Sequence, residues 1–130
     1  LDPGAAAALH QLLAIGAPAP EALARLGALA AEWPGIATAV ERLSRRLGRI
    51  RAAGIELDGI GFDASHGRGT MEYYDGMTFS FLAPGRPDWP PVASGGRYDL
   101  LTAELGRGAA IPAVGGIIRP GLVAELEASC

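Results

Sequence analysis

The spacing of apolar residues changes once along this chain, and that change restricts the fold more than any other feature. In "IATAVERLSRRLGRIRAAG", Ile36, Val40, Leu43, Leu47 and Ile50 recur every three or four residues, and Gly54 stands at the C′ position. This predicts an amphipathic helix over 36–53. Beyond Gly54 the interval falls towards two. "IELDGIGFDAS" alternates in part through Leu57, Ile60, Phe62 and Ala64, with Gly59 and Gly61 loosening the pattern, so a strand with a bulge is expected. "EYYDGMTFSFLA" is the clearest strand. Its alternation puts Tyr73, Asp75, Met77, Phe79 and Phe81 on a core face, and Tyr74, Gly76, Thr78, Ser80 and Leu82 on a small, polar one.

Two more helices precede the change. "LDPGAAAALHQLLAIG" has Asp2 as N-cap, Pro3 at N1, an apolar face of Leu9, Leu12 and Leu13, and Gly16 as its end. "APEALARLGALAAEW" has Pro20 and Glu21 in its first turn and Pro34 closing it. After the main strand come a Pro-rich turn, a short strand near Val92, a helix "YDLLTAELG" ending at Gly106, a buried strand "IPAVGGIIRP" and a last helix "GLVAELEAS". The expected fold class is α+β, a mainly antiparallel sheet flanked by helices and preceded by a helical segment. With 130 residues, we read one domain, 1–54 helical and 55–130 strand-rich.

Composition removes several function classes. Nearly half the residues are apolar (49%) and only 19% are charged, so the chain is globular rather than disordered. No apolar run approaches the roughly 18 residues of a membrane span, and no signal-peptide pattern opens the chain. With Cys130 as the one cysteine, no intrachain disulfide can form, and a cytoplasmic setting is expected. The net charge of −3 argues against nucleic acid as a partner. All eleven basic residues are arginine, five of them in "ERLSRRLGRIR". Of these, Arg42, Arg45, Arg46 and Arg49 lie away from the apolar stripe and read as a solvated face, with a protein or RNA contact as the alternative. His10 and His66 stand far apart without acids or cysteines at ligand spacing, so no metal site is expected. "GRGT" at Arg68 and "GRG" at 106–108 lack the Lys-Ser/Thr of a phosphate loop and read as turns.

One further stretch is informative beside the double tyrosine. In "ASGGRYDLLTAELG" the consecutive Gly95 and Gly96 remove side chains where a strand is expected to turn into a helix, beside Arg97 and Tyr98. Another backbone or a small ligand can approach there. A small polar face next to a tyrosine suits the floor of a pocket for a small polar ligand, since a tyrosine hydroxyl can serve an imidazole or an amide.

"EYYDGMTF", "GGRYD" and "PAVGG", in that order, resemble the histidine-specific motifs of histidyl-tRNA synthetase and its non-synthetase paralogue, the regulatory subunit of ATP phosphoribosyltransferase. The likeness covers about residues 57 to 126, with 1–54 matching the helical segment that precedes them in that family. It implies a class II aminoacyl-tRNA synthetase-like core. It also implies a histidine site in which Tyr74 and Tyr98 meet the imidazole and Glu72 replaces the acid before the tyrosine pair, with Gly76, Gly95, Gly96 and Arg68 completing this side. In the family other ligand contacts come from segments upstream of residue 1, and the chain, opening on Leu1, reads as a C-terminal fragment whose pocket is half built. Two departures matter. The synthetase's last motif ends in an arginine that holds the ATP phosphates, and Leu122 occupies that register here, with Arg119 three residues early and before Pro120. The stretch from Arg68 to Tyr73 is also one residue longer than in synthetases. The resemblance therefore implies a non-catalytic regulatory subunit without cofactor, partnered by the catalytic ATP phosphoribosyltransferase subunit, a homodimer within a hetero-oligomer, with histidine as effector. The alternatives are a piece of an active synthetase and an interaction domain that has lost its ligand.

Overall fold

The computed structural model describes residues 3–66, 74–106, 108–109 and 111–129. The chain divides into two units, Leu1–His66 and Gly67–Cys130. Among the described residues both units combine helices with strands, an α+β arrangement, and the two sheets are antiparallel.

In the first unit, helices α1 (Pro3–Leu13), α2 (Ala19–Glu32) and α3 (Ala37–Ala52) carry the core, with a 3₁₀ turn over Pro34–Ile36 between the last two. Pro20 lies in the first turn of α2, where its missing N–H has no intrahelical partner to lose. Gly54 takes φ +82°, the left-handed conformation that ends α3. The predicted stripe faces inward. Ile36, Val40 and Leu43 pack on Ile15, Ala22, Leu26 and Leu29, while Leu43 and Ile50 also pack on a second cluster of Ala19, Leu47 and Leu57. Ala22 has no exposed surface, and a larger side chain there would have to push its neighbours apart.

Three details of this unit depart from the sequence reading. Helix α1 stops at Leu13, and Gly16, expected to end it, instead opens strand β1 (Gly16–Pro18). Of the expected α1 face, Leu12 packs on the core, but Leu9 and Leu13 are exposed. The segment 55–66, grouped by sequence with the strand-rich part, belongs here. Its strand β2 (Gly61–Asp63) pairs with β1 through Gly16↔Asp63, Ala17↔Phe62 and Pro18↔Gly61. The Ala64 N–H donates to the Ile15 carbonyl at one end and the Ala19 N–H to the Ile60 carbonyl at the other. A three-residue strand is too short to show periodicity, so only its partner reveals β1.

The second unit is a three-stranded sheet in the order β3 (Thr78–Phe81), β4 (Ala93–Arg97), β5 (Val114–Ile118), with α4 (Asp99–Leu105) between β4 and β5 and α5 (Pro120–Ala128) after β5. Helix α4 ends at Gly106, as the sequence predicts, while α5 begins at Pro120, which the sequence reading places in the preceding strand. The main strand is shorter than its alternation suggests. Residues 74–77 lie outside it, because Arg97 donates its N–H to the Met77 carbonyl but accepts from the Asp75 N–H, so the chain bows out opposite Arg97. The expected core face reaches only Phe79. Phe81 is 61% exposed and Leu82 is also open to solvent. Strand β5, expected to be buried, is an edge strand with Val114, Ile117 and Ile118 exposed.

Leu26 is 4% exposed within the α2 core. Replacing it with alanine is expected to cost about 2–4 kcal/mol, read as a lowered urea midpoint; a change within error would show that this cluster does not hold the unit together.

Candidate functional site

The site is built on glycines. Register places Gly95 opposite Phe79 on one side and Gly116 on the other, and Gly96 opposite Thr78 and Gly115. Contrary to the sequence reading, Gly95 and Gly96 do not lie in a turn; they occupy the middle of the central strand. Each has a different reason for lacking a side chain. A Cβ on Gly95 would come within 2.6 Å of the Phe79 ring, and one on Gly96 within 2.6 Å of Tyr74 Cδ1. A Cβ on Gly115 would sit 2.6 Å from the Tyr98 hydroxyl. Real Cβ atoms do not come so close, so the rings above these glycines would have to move, and at Gly95 the β5 backbone as well, because the Gly115 carbonyl oxygen is nearer still.

Since successive strand residues face opposite ways, the Gly95–Gly116 rung carries Phe79 and the Gly96–Gly115 rung carries the two tyrosines. On the tyrosine face the neighbouring positions are Thr78, Ser80 and Ser94, all half-buried. The tyrosine rings lie 6.3 Å apart at 47°. The structure thus brings together Tyr74, Tyr98 and Gly96, three of the residues that the sequence singled out, whereas Gly95, the next residue of the same strand, faces Phe79 on the opposite side of the sheet. Gly76 does not join them as the alternation suggests: a Cβ there would meet the Arg97 side chain at 2.9 Å, and Arg97 faces away from Gly96. The bow at 75–77 breaks the strict period of two. Arg68 and Glu72 lie outside the described residues.

Two acids missed by the sequence reading hold this arrangement. Asp75, directly after Tyr74, accepts the Leu100 N–H in the first turn of α4. Asp99, directly after Tyr98, accepts the Ala113 N–H at 2.9 Å and the Arg97 Nε at 2.9 Å, with Arg97 Nη2 at 2.7 Å. The Tyr98 N–H itself donates to the Ala113 carbonyl. The Ala113 hydrogen bond, followed by that from Arg97, holds the Asp99 carboxyl below the usual carboxylate range. The repeated Tyr-Asp dipeptide was the available signal.

The remaining charges are otherwise engaged or exposed. Arg119 donates through Nη1 to the Pro91 carbonyl, at 2.6 Å. Leu122 is half-buried on α5. On α3, Arg42, Arg45 and Arg49 are exposed, as expected of a solvated face, whereas Arg46, expected beside them, is half-buried. Open hollows in the first unit, lined chiefly by α1 and α2, contain none of the predicted site residues. Among the described residues no group of three His, Cys, Asp or Glu could hold a metal ion, and no helix is long and apolar enough to cross a membrane.

Compared with known protein families, residues 1–120 match the sequence model described as histidyl-tRNA synthetase. The chain belongs to the histidyl-tRNA synthetase family. The match includes the helical first unit as well as the tyrosine motifs. Curated relatives bear the name ATP phosphoribosyltransferase regulatory subunit. That of Mesorhizobium japonicum is 39% identical over 110 residues, covering 84% of this chain and 29% of its own length. That of Agrobacterium fabrum is 36% identical over 108 residues, or 82% of this chain and 28% of the relative. That of Sinorhizobium fredii is 38% identical over 116 residues, or 88% and 30%. The chain therefore spans less than a third of the length of these relatives. No solved structure matches it.

Two predictions follow from the packing and charge in this family member. Gly95→Ala should destabilise by about 1–3 kcal/mol through overpacking, whereas Gly121→Ala, with nothing within 4 Å of its Cβ in α5, should stabilise by about 0.5–1 kcal/mol; urea unfolding reads both signs. Because the folded pKa of Asp99 is lowered, its contribution is present above the unfolded value of about 4 and disappears as pH falls through the folded one. Asp99→Asn should therefore lower the urea midpoint at neutral pH, with the gap to the parent narrowing progressively as pH falls below the ordinary carboxylate value of about 4; a gap that stays constant with pH refutes it.

Proposed function

We propose that the chain is part of a non-catalytic regulatory subunit of ATP phosphoribosyltransferase, one that binds histidine on a class II aminoacyl-tRNA synthetase-like core. The observation that carries the proposal is the Tyr74–Tyr98 pair standing over the Gly96–Gly115 rung, beside Thr78, Ser80 and Ser94. Two hydroxyl-bearing rings above a floor of small polar groups suit a flat ligand with ring nitrogens. The relatives' name supports the partner, the catalytic ATP phosphoribosyltransferase subunit. The subunit works in the cytoplasm as a homodimer within a hetero-oligomer, and histidine acts by linkage, favouring one state of the complex over the other.

The charge inventory speaks against catalysis of histidine activation, which needs cations on the ATP phosphates. Leu122 stands in the register of the phosphate-binding arginine, and the Arg119 guanidinium is bonded to a backbone carbonyl. A second reading, an active histidyl-tRNA synthetase, draws on the exposed Arg42, Arg45 and Arg49 of α3 as a tRNA contact. Histidine-dependent ATP–pyrophosphate exchange by the full-length protein decides between them: no exchange is expected, and exchange would establish the second reading. Titration calorimetry with histidine should show binding that Tyr74→Phe and Tyr98→Phe each weaken by about tenfold, the scale of one hydrogen bond left unmade. Equal affinity in parent and variants, or no binding by any of them, removes the sensing function.

A further inference from the structure

We propose that Asp75 is the positioning residue that sets Tyr74 against Tyr98, and so determines the separation of the two rings in the ligand site. Its ligand-binding consequence rests on the histidine-binding reading; its structural consequence does not. Tyr74 lies in the bowed stretch ahead of β3, outside the ladder that registers Thr78–Phe81 on β4. Sheet pairing therefore does not by itself define where this ring sits. Asp75 makes two connections at this point. Its N–H donates to the Arg97 carbonyl, and its carboxylate accepts the Leu100 N–H. Arg97 and Leu100 flank Tyr98 in the chain, so both bonds tie the backbone beside one tyrosine to the backbone around the other. The second connection spans 25 residues of sequence.

The same device recurs one step further on. Asp99 follows Tyr98 as Asp75 follows Tyr74, and its carboxylate takes the Ala113 N–H, two residues before the Gly115 that lies under the Tyr98 hydroxyl. The two bonds act in series, from Tyr74 to Tyr98 and from Tyr98 to β5. They differ in what else they carry. Asp99 also neutralises Arg97 and ties α4 to β5, so its loss disturbs the fold. Asp75 is exposed and, among the described residues, its side chain makes a single hydrogen bond, to Leu100, so its loss is expected to move a ring while leaving the sheet intact.

The test compares Asp75→Ala, which removes the acceptor, with Asp75→Asn, whose amide oxygen retains it. Ring-labelled tyrosine in the chain should give nuclear Overhauser contacts between Tyr74 and Tyr98, lost in Asp75→Ala and kept in Asp75→Asn, at unchanged urea midpoints. In the full-length protein, Asp75→Ala should bind histidine about tenfold more weakly and Asp75→Asn within about twofold of the parent. Ring contacts retained in Asp75→Ala overturn the proposal whether or not histidine binds. So does an Asp75→Asn protein as impaired as Asp75→Ala, or an affinity loss matched by an equal loss of stability. If the parent does not bind histidine, the functional reading fails while the ring contacts still decide the positioning. Should Asp75→Ala not fold, Asp75→Glu, with its acceptor one methylene further out, replaces it: shifted ring contacts are expected, and parent-like contacts overturn the proposal.

Discussion

The second unit depends on the close approach of backbones at two adjacent rungs of its sheet. Gly95 and Gly96 of the central strand face Gly116 and Gly115 of β5, and the space left by four missing side chains is taken by Phe79 on one face and by Tyr74 and Tyr98 on the other. A sheet with ordinary residues at these rungs would hold the aromatic rings a side chain's thickness further out. The glycines are tolerated in strand interiors, where they cost backbone entropy, because their absent side chains are replaced by packed rings. The tyrosine face and the phenylalanine face are thus two consequences of one constraint.

The helical half was legible because a sixteen-residue helix repeats its apolar interval several times over. Ile36, Val40, Leu43, Leu47 and Ile50 face inward as the spacing demanded, and Gly54 ends the helix with the positive φ that its position implied. Strands were harder to read, since each is three to five residues long. Alternation cannot reveal that 75–77 bow outward, because the bow arises from two backbone bonds to Arg97, a residue distant in the sequence. Gly95 and Gly96 suggested a turn for the same reason: local sequence signals flexibility, whereas the crowding that requires glycine comes from β5 and Phe79. The exposure of Val114 and Ile118 was likewise invisible, for an apolar run reads as buried whether or not its strand has a partner on both sides.

The tyrosines themselves were legible and their supports were not. Motif resemblance pointed to Tyr74 and Tyr98, which do lie near each other. It gave no weight to the acids that follow them, because a single Tyr-Asp pair is common and only the hydrogen bonds to Leu100 and Ala113 show that both pairs serve one purpose. Charge followed a similar pattern. The register of Leu122 was a matter of counting residues, but the engagement of Arg119 by the Pro91 carbonyl needed coordinates.

The placement of each acid one residue after its tyrosine separates holding from recognising. The backbone at positions 74 and 98 is secured by the neighbour's carboxylate and by main-chain bonds, so the tyrosine ring itself bears little of the load of staying in place. Exchange of either ring for another flat side chain leaves those anchors untouched. Descent from a common ancestor can therefore alter what such a face prefers by changing single residues, without first having to invent a new way of folding it.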